Sequence, residues 1–261
     1  MNHDISILFS MKSMIVFILV ISRISGMLAT APLFSTFPIP MPVKASLATL
    51  TAFIIYPMVL QYSDFPIPHD LISLSLMVTK ELFIGILIGF CTQLIFIGIQ
   101  IGGQLLSMQM GLAIAETLDP VTSQQVPIIG QFYLYIASLA FIHLDGPHWL
   151  FSTIFSTYKS IPMGLSFEFT ADITQKVLIF TSQIFAIAFG IVMPLFSILF
   201  IIDIALGFVS KIMPQMNIFM VSIPLKIILG IIIMNLFLPT TAVYLTNLIS
   251  QLLETLGNIF I

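Results

Sequence analysis

The chain is short of charge. Of its 261 residues, 7% are Asp, Glu, Lys or Arg and 59% are hydrophobic. An ordinary soluble domain carries about 25% charged residues. A soluble fold of this length needs a polar surface, which this sequence cannot supply. The few charges are also unevenly spread. None falls within 82–115, 177–202 or 227–253, and each of these runs exceeds the ~20 residues that cross a bilayer as a helix. With a mean hydropathy of +1.15, the sequence reads as an integral membrane protein. The runs are continuously apolar, not alternating, which excludes an outer-membrane barrel and makes the fold class all-α.

Other scarcities narrow the chemistry. The single cysteine, Cys91, excludes an intrachain disulfide and a thiolate metal cluster, and inside an apolar run it reads as a small core residue. The net charge is −3, and without a basic stripe there is no footprint for nucleic acid. There is no GxSxG, no SxxK and no phosphate-binding glycine loop. "HLDGPH" at 143–148 sets His143 and His148 five residues apart, where a helical zinc pair needs four, and Gly146-Pro147 interrupts any helix between them. These histidines read as loop residues. The expectation is a protein that is not an enzyme and holds no metal or cofactor.

What the chain does have is long apolar segments. Six can be drawn, at roughly 5–29, 45–61, 71–106, 126–143, 173–210 and 217–237, and 148–158 and 240–260 read as shorter amphipathic or re-entrant pieces. The first could be mistaken for a signal peptide, because Lys12 precedes it and "ATA" at 29–31 resembles a cleavage box. Arg23 interrupts it and Pro32 would follow the cut, so it reads as a retained first helix. In a six-span arrangement Lys44 and Lys211 share one side, while Asp64, Asp70, Asp145 and Glu254 share the other. The lysines would make their side cytoplasmic.

Segments 71–106 and 173–210 exceed a simple span. At 1.5 Å per residue each passes about 50 Å, against ~30 Å of hydrocarbon. Pro194 and Pro224 each remove a backbone bond within their segments, as does Pro57. Pro194, Pro214 and Pro224 read as helix breaks, tolerated where protein or a water-filled cavity covers them. "GILIG" (Gly85, Gly89) and "GIQIG" (Gly98, Gly102) lie on roughly opposite faces of one helix and allow close helix approach on both. Arg23, Lys80, Glu81, Asp203 and Lys226 lie in or at the edges of apolar segments. A charge at the bilayer centre costs at least about 2.5 kcal/mol, so these five read as a buried polar network of paired groups that fixes helix register, rather than as a proton relay.

The residues carry a resemblance. Arg23 followed by "AP" at 31–32, "PIPMPVK" at 38–44, "KELFIGILIGF" at 80–90, "GGQLLSMQMGLAIAETLDP" at 102–120 and "MPLFSILFIIDIALGFVSKIMPQMNIFMVSIPLKIILG" at 193–230 run nearly end to end. In these the chain resembles the FliR family of flagellar type III export-gate proteins, more than its virulence-secretion counterparts. The resemblance implies a single domain with a FliP-like N-terminal part and a FliQ-like C-terminal part. It implies a hetero-oligomeric helical ring with FliP-like and FliQ-like subunits, forming the channel entrance for unfolded export substrates, with FlhB and FlhA nearby. It further implies an inner-membrane, basal-body location, largely on the periplasmic side when assembled, and no cofactor.

One stretch stands apart from the grease. "LSMQMGLAIAETLDPVTSQQVP" at 106–127 is polar and turn-prone. By resemblance, 107–122 is the loop that points into the channel and plugs it. The residues fit that role: Gly111 permits a sharp turn, Asp119-Pro120 favours leaving a helix, and Met108, Met110 and Leu112 are apolar side chains suited to a seal. Gln109, Glu116 and Asp119 would face water or polar neighbours. Two other readings stand beside this one: a secondary transporter with broken helices around a midplane site, and an intramembrane enzyme, for which no catalytic constellation is apparent.

Overall fold

The structure is a computed structural model that describes residues 11–61, 68, 70–112, 127–164, 171–215 and 217–260. Asp64 and the loop residues Glu116, Asp119 and Pro120 lie outside the described residues. The described elements are all helical: α1 (Met11–Thr30), α2 (Pro32–Thr36), α3 (Met41–Leu60), α4 (Leu71–Gln109), α5 (Ile128–His143), α6 (Gly146–Ser160), α7 (Ala171–Ile212) and α8 (Ile218–Phe260). Five stretches are long and apolar enough to cross a membrane: α1, α3, α4, Ile184–Ile212 of α7 and Met220–Gly257 of α8. Helices α5 and α6 would together make one broken span. Asp145, at the break, has a left-handed φ of 53°, a conformation that Asp tolerates better than most residues. Its carbonyl then accepts from the Trp149 amide at 2.9 Å and starts α6.

Several sequence expectations are corrected. The helix runs unbroken through Pro194 in α7 and through both Pro224 and Pro239 in α8, and α3 continues past Pro57. Each of these prolines removes one backbone bond, and the bonds on either side carry the helix across. Of the three expected breaks, Pro214 alone falls between helices. The segments 217–237 and 240–260 are one 43-residue helix, and 148–158 is the body of the regular helix α6. Helix α4 extends to Gln109, so Ser107 and Met108 belong to its last turn, not to a loop.

Packing divides the chain into two compact units, one of Met1–Leu94, Asp145–Phe180 and Gln251–Ile261, the other of Ile95–Leu144 and Thr181–Ser250. In the first, α1 is central: Val16, Leu19, Val20, Ile24 and Met27 are fully buried. Helix α3 packs along it, with Phe17 and Tyr56 in an edge-to-face contact of 5.9 Å. Helices α1 and α4 meet through small residues. A Cβ on Gly85 would strike the Arg23 carbonyl, and one on Gly26 would strike the Leu82 carbonyl. Such crossings gain their attraction from backbone-to-backbone packing, because lipid offers no hydrophobic drive between helices.

The second unit uses the same device with other partners. Gly98 and Gly102 lie against Ile187 and Ala188 of α7, and Gly103 of α4 meets Gly130 of α5 glycine to glycine. Phe96 and Phe141 close this packing edge to face at 5.6 Å. By contrast, α8 leaves much of its apolar length open, with Met220, Ile228, Ile232 and Leu236 all exposed.

Candidate functional site

Two charged clusters and one turn gather the residues singled out by the sequence. The first cluster lies in the first unit. Arg23 sits at the middle of α1 and is fully buried, beside a buried Glu81 on α4. Its Nε donates to Glu81 Oε2 at 2.6 Å, its Nη1 to Thr157 Oγ1 at 2.9 Å and its Nη2 to the Ile161 carbonyl at 3.2 Å. The guanidinium also lies over the Tyr158 ring, 3.9 Å from its centroid. The planar fork of Arg can serve a carboxylate, a hydroxyl, a carbonyl and an aromatic face at once, which a lysine cannot. One side chain therefore ties α1 to α4 and to the end of α6. Lys80, next to Glu81 but on the half-exposed side, donates to the Gly164 carbonyl at 2.8 Å. Among the described residues, Glu81 Oε1 and the Tyr158 hydroxyl have no hydrogen-bond partner.

The second cluster lies in the second unit. Lys226 of α8 forms an ion pair with Asp203 Oδ1 of α7. The other carboxylate oxygen, Oδ2, accepts from Gln109 Nε2 of α4 at 3.0 Å. The five in-helix charges are thus two separate groups: Arg23, Lys80 and Glu81 in one, Asp203 and Lys226 in the other. The second is not fully buried, since the Asp203 side chain is 35% exposed and that of Lys226 17%.

The turn follows directly from Gln109. Helix α4 ends because Gly111 adopts φ +80°, the left-handed conformation that closes a helix and that glycine takes without a Cβ clash. Its amide donates to the Met108 carbonyl at 3.0 Å. Met110 turns inward and is fully buried, while Met108 points out and is 54% exposed. Met110 fills the space left by Gly230 on α8: a Cβ there would meet its Cγ and Sδ at about 3 Å. The three apolar residues proposed for a seal therefore differ, with Met110 packed, Leu112 half-buried and Met108 open.

Sequence reading missed Thr157 and Tyr158 beneath Arg23, the Gly103–Gly130 crossing, and the notch at Gly230. A lone Thr or Gly in an apolar helix carries no signal of its own. Gln109 was placed with the loop, and the structure adds it to the Asp203–Lys226 pair.

Comparison with known proteins gives this geometry a context. Residues 14–252 match the family described as bacterial export proteins, family 1. The chain belongs to the FliR family. It is 30% identical over 247 residues to the flagellar biosynthetic protein FliR of Bacillus subtilis (strain 168), covering 93% of each chain. Against the FliR of Escherichia coli (strain K12) the identity is 30% over 240 residues, 91% of this chain and 89% of that one. Against the FliR of Aquifex aeolicus (strain VF5) it is 28%, covering 86% of each. The family match takes in both charged clusters and the turn, because it begins before Arg23 and ends after Gly230.

Proposed function

We propose that this chain is a non-enzymatic subunit of the flagellar type III protein export gate. In this reading it assembles with FliP-like and FliQ-like subunits, next to FlhB and FlhA, into the inner-membrane channel entrance through which unfolded substrates leave the cytoplasm. The carrying observation is the family match over 14–252, supported by relatives that align nearly end to end and are named flagellar biosynthetic proteins. Three structural features fit the reading. The long helices α4, α7 and α8 reach about 60 Å at 1.5 Å per residue, twice the hydrocarbon thickness, as expected of a chain that projects beyond the bilayer. The open apolar length of α8 suits contact with other subunits. The turn at Met110–Gly111, with an apolar side chain sealed against α8, is where a plug formed by 107–122 would be rooted. The FliP-like and FliQ-like halves, and the periplasmic position of the assembly, belong to the same proposal.

The transporter alternative leaned on proline-broken helices around a central site. The helices continue through Pro194 and Pro224, which removes those two breaks from its support.

The test is co-expression with FliP-like and FliQ-like chains, purification in mild detergent, and a permeability assay in the same cells. The three chains should copurify. Deleting a few residues around Met110 should leave copurification intact and let small solutes leak. A monodisperse lone chain would overturn the subunit reading, and a tight membrane with an assembled deletion variant would overturn the plug.

A further inference from the structure

One stripe of α8 reads three consecutive residues of the α4 turn. Ile223, Lys226 and Gly230 are spaced i, i+3 and i+7, so they share one face of the helix. Ile223 lies against Gly111, at 3.6 Å from where a Cβ would stand. Gly230 receives Met110. Lys226 reaches Gln109 through Asp203, whose two carboxylate oxygens are divided between them.

We propose that Gln109, Asp203 and Lys226 form a polar tether that positions the Met110–Gly111 turn, so that Met110 stays seated at Gly230 only while the tether is intact. The need for a tether follows from the residues in the turn. Gly111 has the widest backbone freedom of any residue, and Met110 has a flexible, unbranched side chain. Neither specifies a single position. Apolar contact with Ile223 and Gly230 is non-directional and would tolerate a rotated or shifted helix end. The amide-to-carboxylate bond at 3.0 Å is directional and acts on the residue immediately before Met110. The tether is also open to solvent or to a neighbouring subunit along its Asp203 side, so a group that competes for the carboxylate would release the turn without disturbing a packed core. Gln109, Asp203 and Lys226 are positioning residues, and their effect is read at Met110.

The tether stands on this geometry alone. Its consequence for channel leak rests on the function proposed above, so the experiment reads the two separately. Met110→Cys is introduced into the full chain, co-expressed with the FliP-like and FliQ-like subunits, and labelling by a water-soluble maleimide is followed at position 110. The native, buried Cys91 reports on the fold in the same molecules, its peptide being resolved by mass. Asp203→Ala, and separately Lys226→Met, should raise the labelling rate at position 110 about two- to fivefold and leave Cys91 slow. The charge swap Asp203→Lys with Lys226→Asp should return the rate close to that of the parent. The pair is then restored in reverse, and the amide oxygen of Gln109 can accept from the new ammonium group. An unchanged rate in the single variants overturns the tether. So does a rise that the swap fails to reverse, or one matched at Cys91, since either would be general loosening. Faster labelling at 110 with a membrane that stays tight keeps the tether and overturns the plug.

Discussion

The two charged clusters solve one problem in different ways. Around Arg23 the charge is fully enclosed and served by groups from three places on the chain: Glu81, Thr157 and the Ile161 carbonyl. Around Asp203 the pair is partly open and served by one amide. Enclosure makes the first cluster a clamp. Charges removed from solvent are held by local partners, and deleting one strands the other in a low-dielectric interior. Partial exposure makes the second adjustable, because whatever covers it can substitute for a lost partner. The clamp joins helices whose backbones touch at Gly26 and Gly85. The adjustable pair sits beside a left-handed glycine and a methionine. Rigid charge thus accompanies rigid packing, and loose charge accompanies the turn.

The largest expected effect breaks the clamp. Arg23→Ala leaves Glu81 buried without its cation and should cost about 3–5 kcal/mol. The chain should be depleted from membranes, and any assembled complex should melt earlier in detergent. Arg23→Ala with Glu81→Leu should recover a large part of that loss, since neither charge is then stranded. Failure of the double variant to improve on the single one would mean that the Thr157 and Tyr158 contacts carry the cluster and the ion pair is incidental.

Next comes the packing that accompanies the clamp. Gly85→Ala drives a methyl group into the Arg23 carbonyl, and backbone cannot swing aside as a side chain can. About 2–3 kcal/mol is expected from the forced shift, measured as the change in denaturant midpoint in mixed micelles. Gly207→Ala is the control. Nothing lies within 4 Å of a Cβ there, so it should be neutral or slightly stabilising. Equal losses at both glycines would remove the α1–α4 crossing as the cause, since helix propensity alone favours Ala over Gly at either position.

These comparisons show what the sequence made legible. The all-α class, the long α4 and α7 and the unusual stretch after Leu105 all follow from runs of apolar residues and their interruption. The charges were legible as residues needing partners, because an ionised side chain in an apolar helix has few solutions. Their partners were less so. Glu81 lies 58 residues from Arg23 and Thr157 lies 134 away, and pairing over such separations depends on tertiary packing that local pattern does not encode. The prolines misled for a related reason: Pro194 and Pro224 each remove one bond, but the bonds on either side carry a helix of about 40 residues across that loss. The notch at Gly230 was invisible because its content is an absence, the missing Cβ that lets Met110 in.

A smaller effect is expected at the turn itself. Gly111→Ala places a Cβ at φ +80°, where an L-residue pays about 1–2 kcal/mol. Space is no obstacle, since Ile223 would be in ordinary contact at 3.6 Å. The penalty is therefore conformational, and Gly111→Asn should cost less, because Asn enters the left-handed region more readily. Ala and Asn behaving alike in a thermal-shift series on the assembled complex would remove the strained backbone as the cause.

The smallest effect, and the one that most sharpens the comparison, is Asp203→Asn. The substitution keeps an acceptor for the Gln109 amide and removes the charge from the pair with Lys226. If the open side of Asp203 meets water, the loss should be about 1 kcal/mol or less, as for other exposed pairs, and raising the salt concentration should shrink the difference between parent and variant. A loss as large as that of Arg23→Ala, insensitive to salt, would mean that the open side is closed in the assembly by hydrocarbon or by another subunit, and that this cluster is a second clamp. Measured in the assembled complex at low and at high salt, the same variant separates the two cases. An adjustable pair gives a small loss that shrinks as salt rises. A pair that is completed by a neighbour gives a large loss that salt leaves unchanged, which would place Asp203 at a subunit contact.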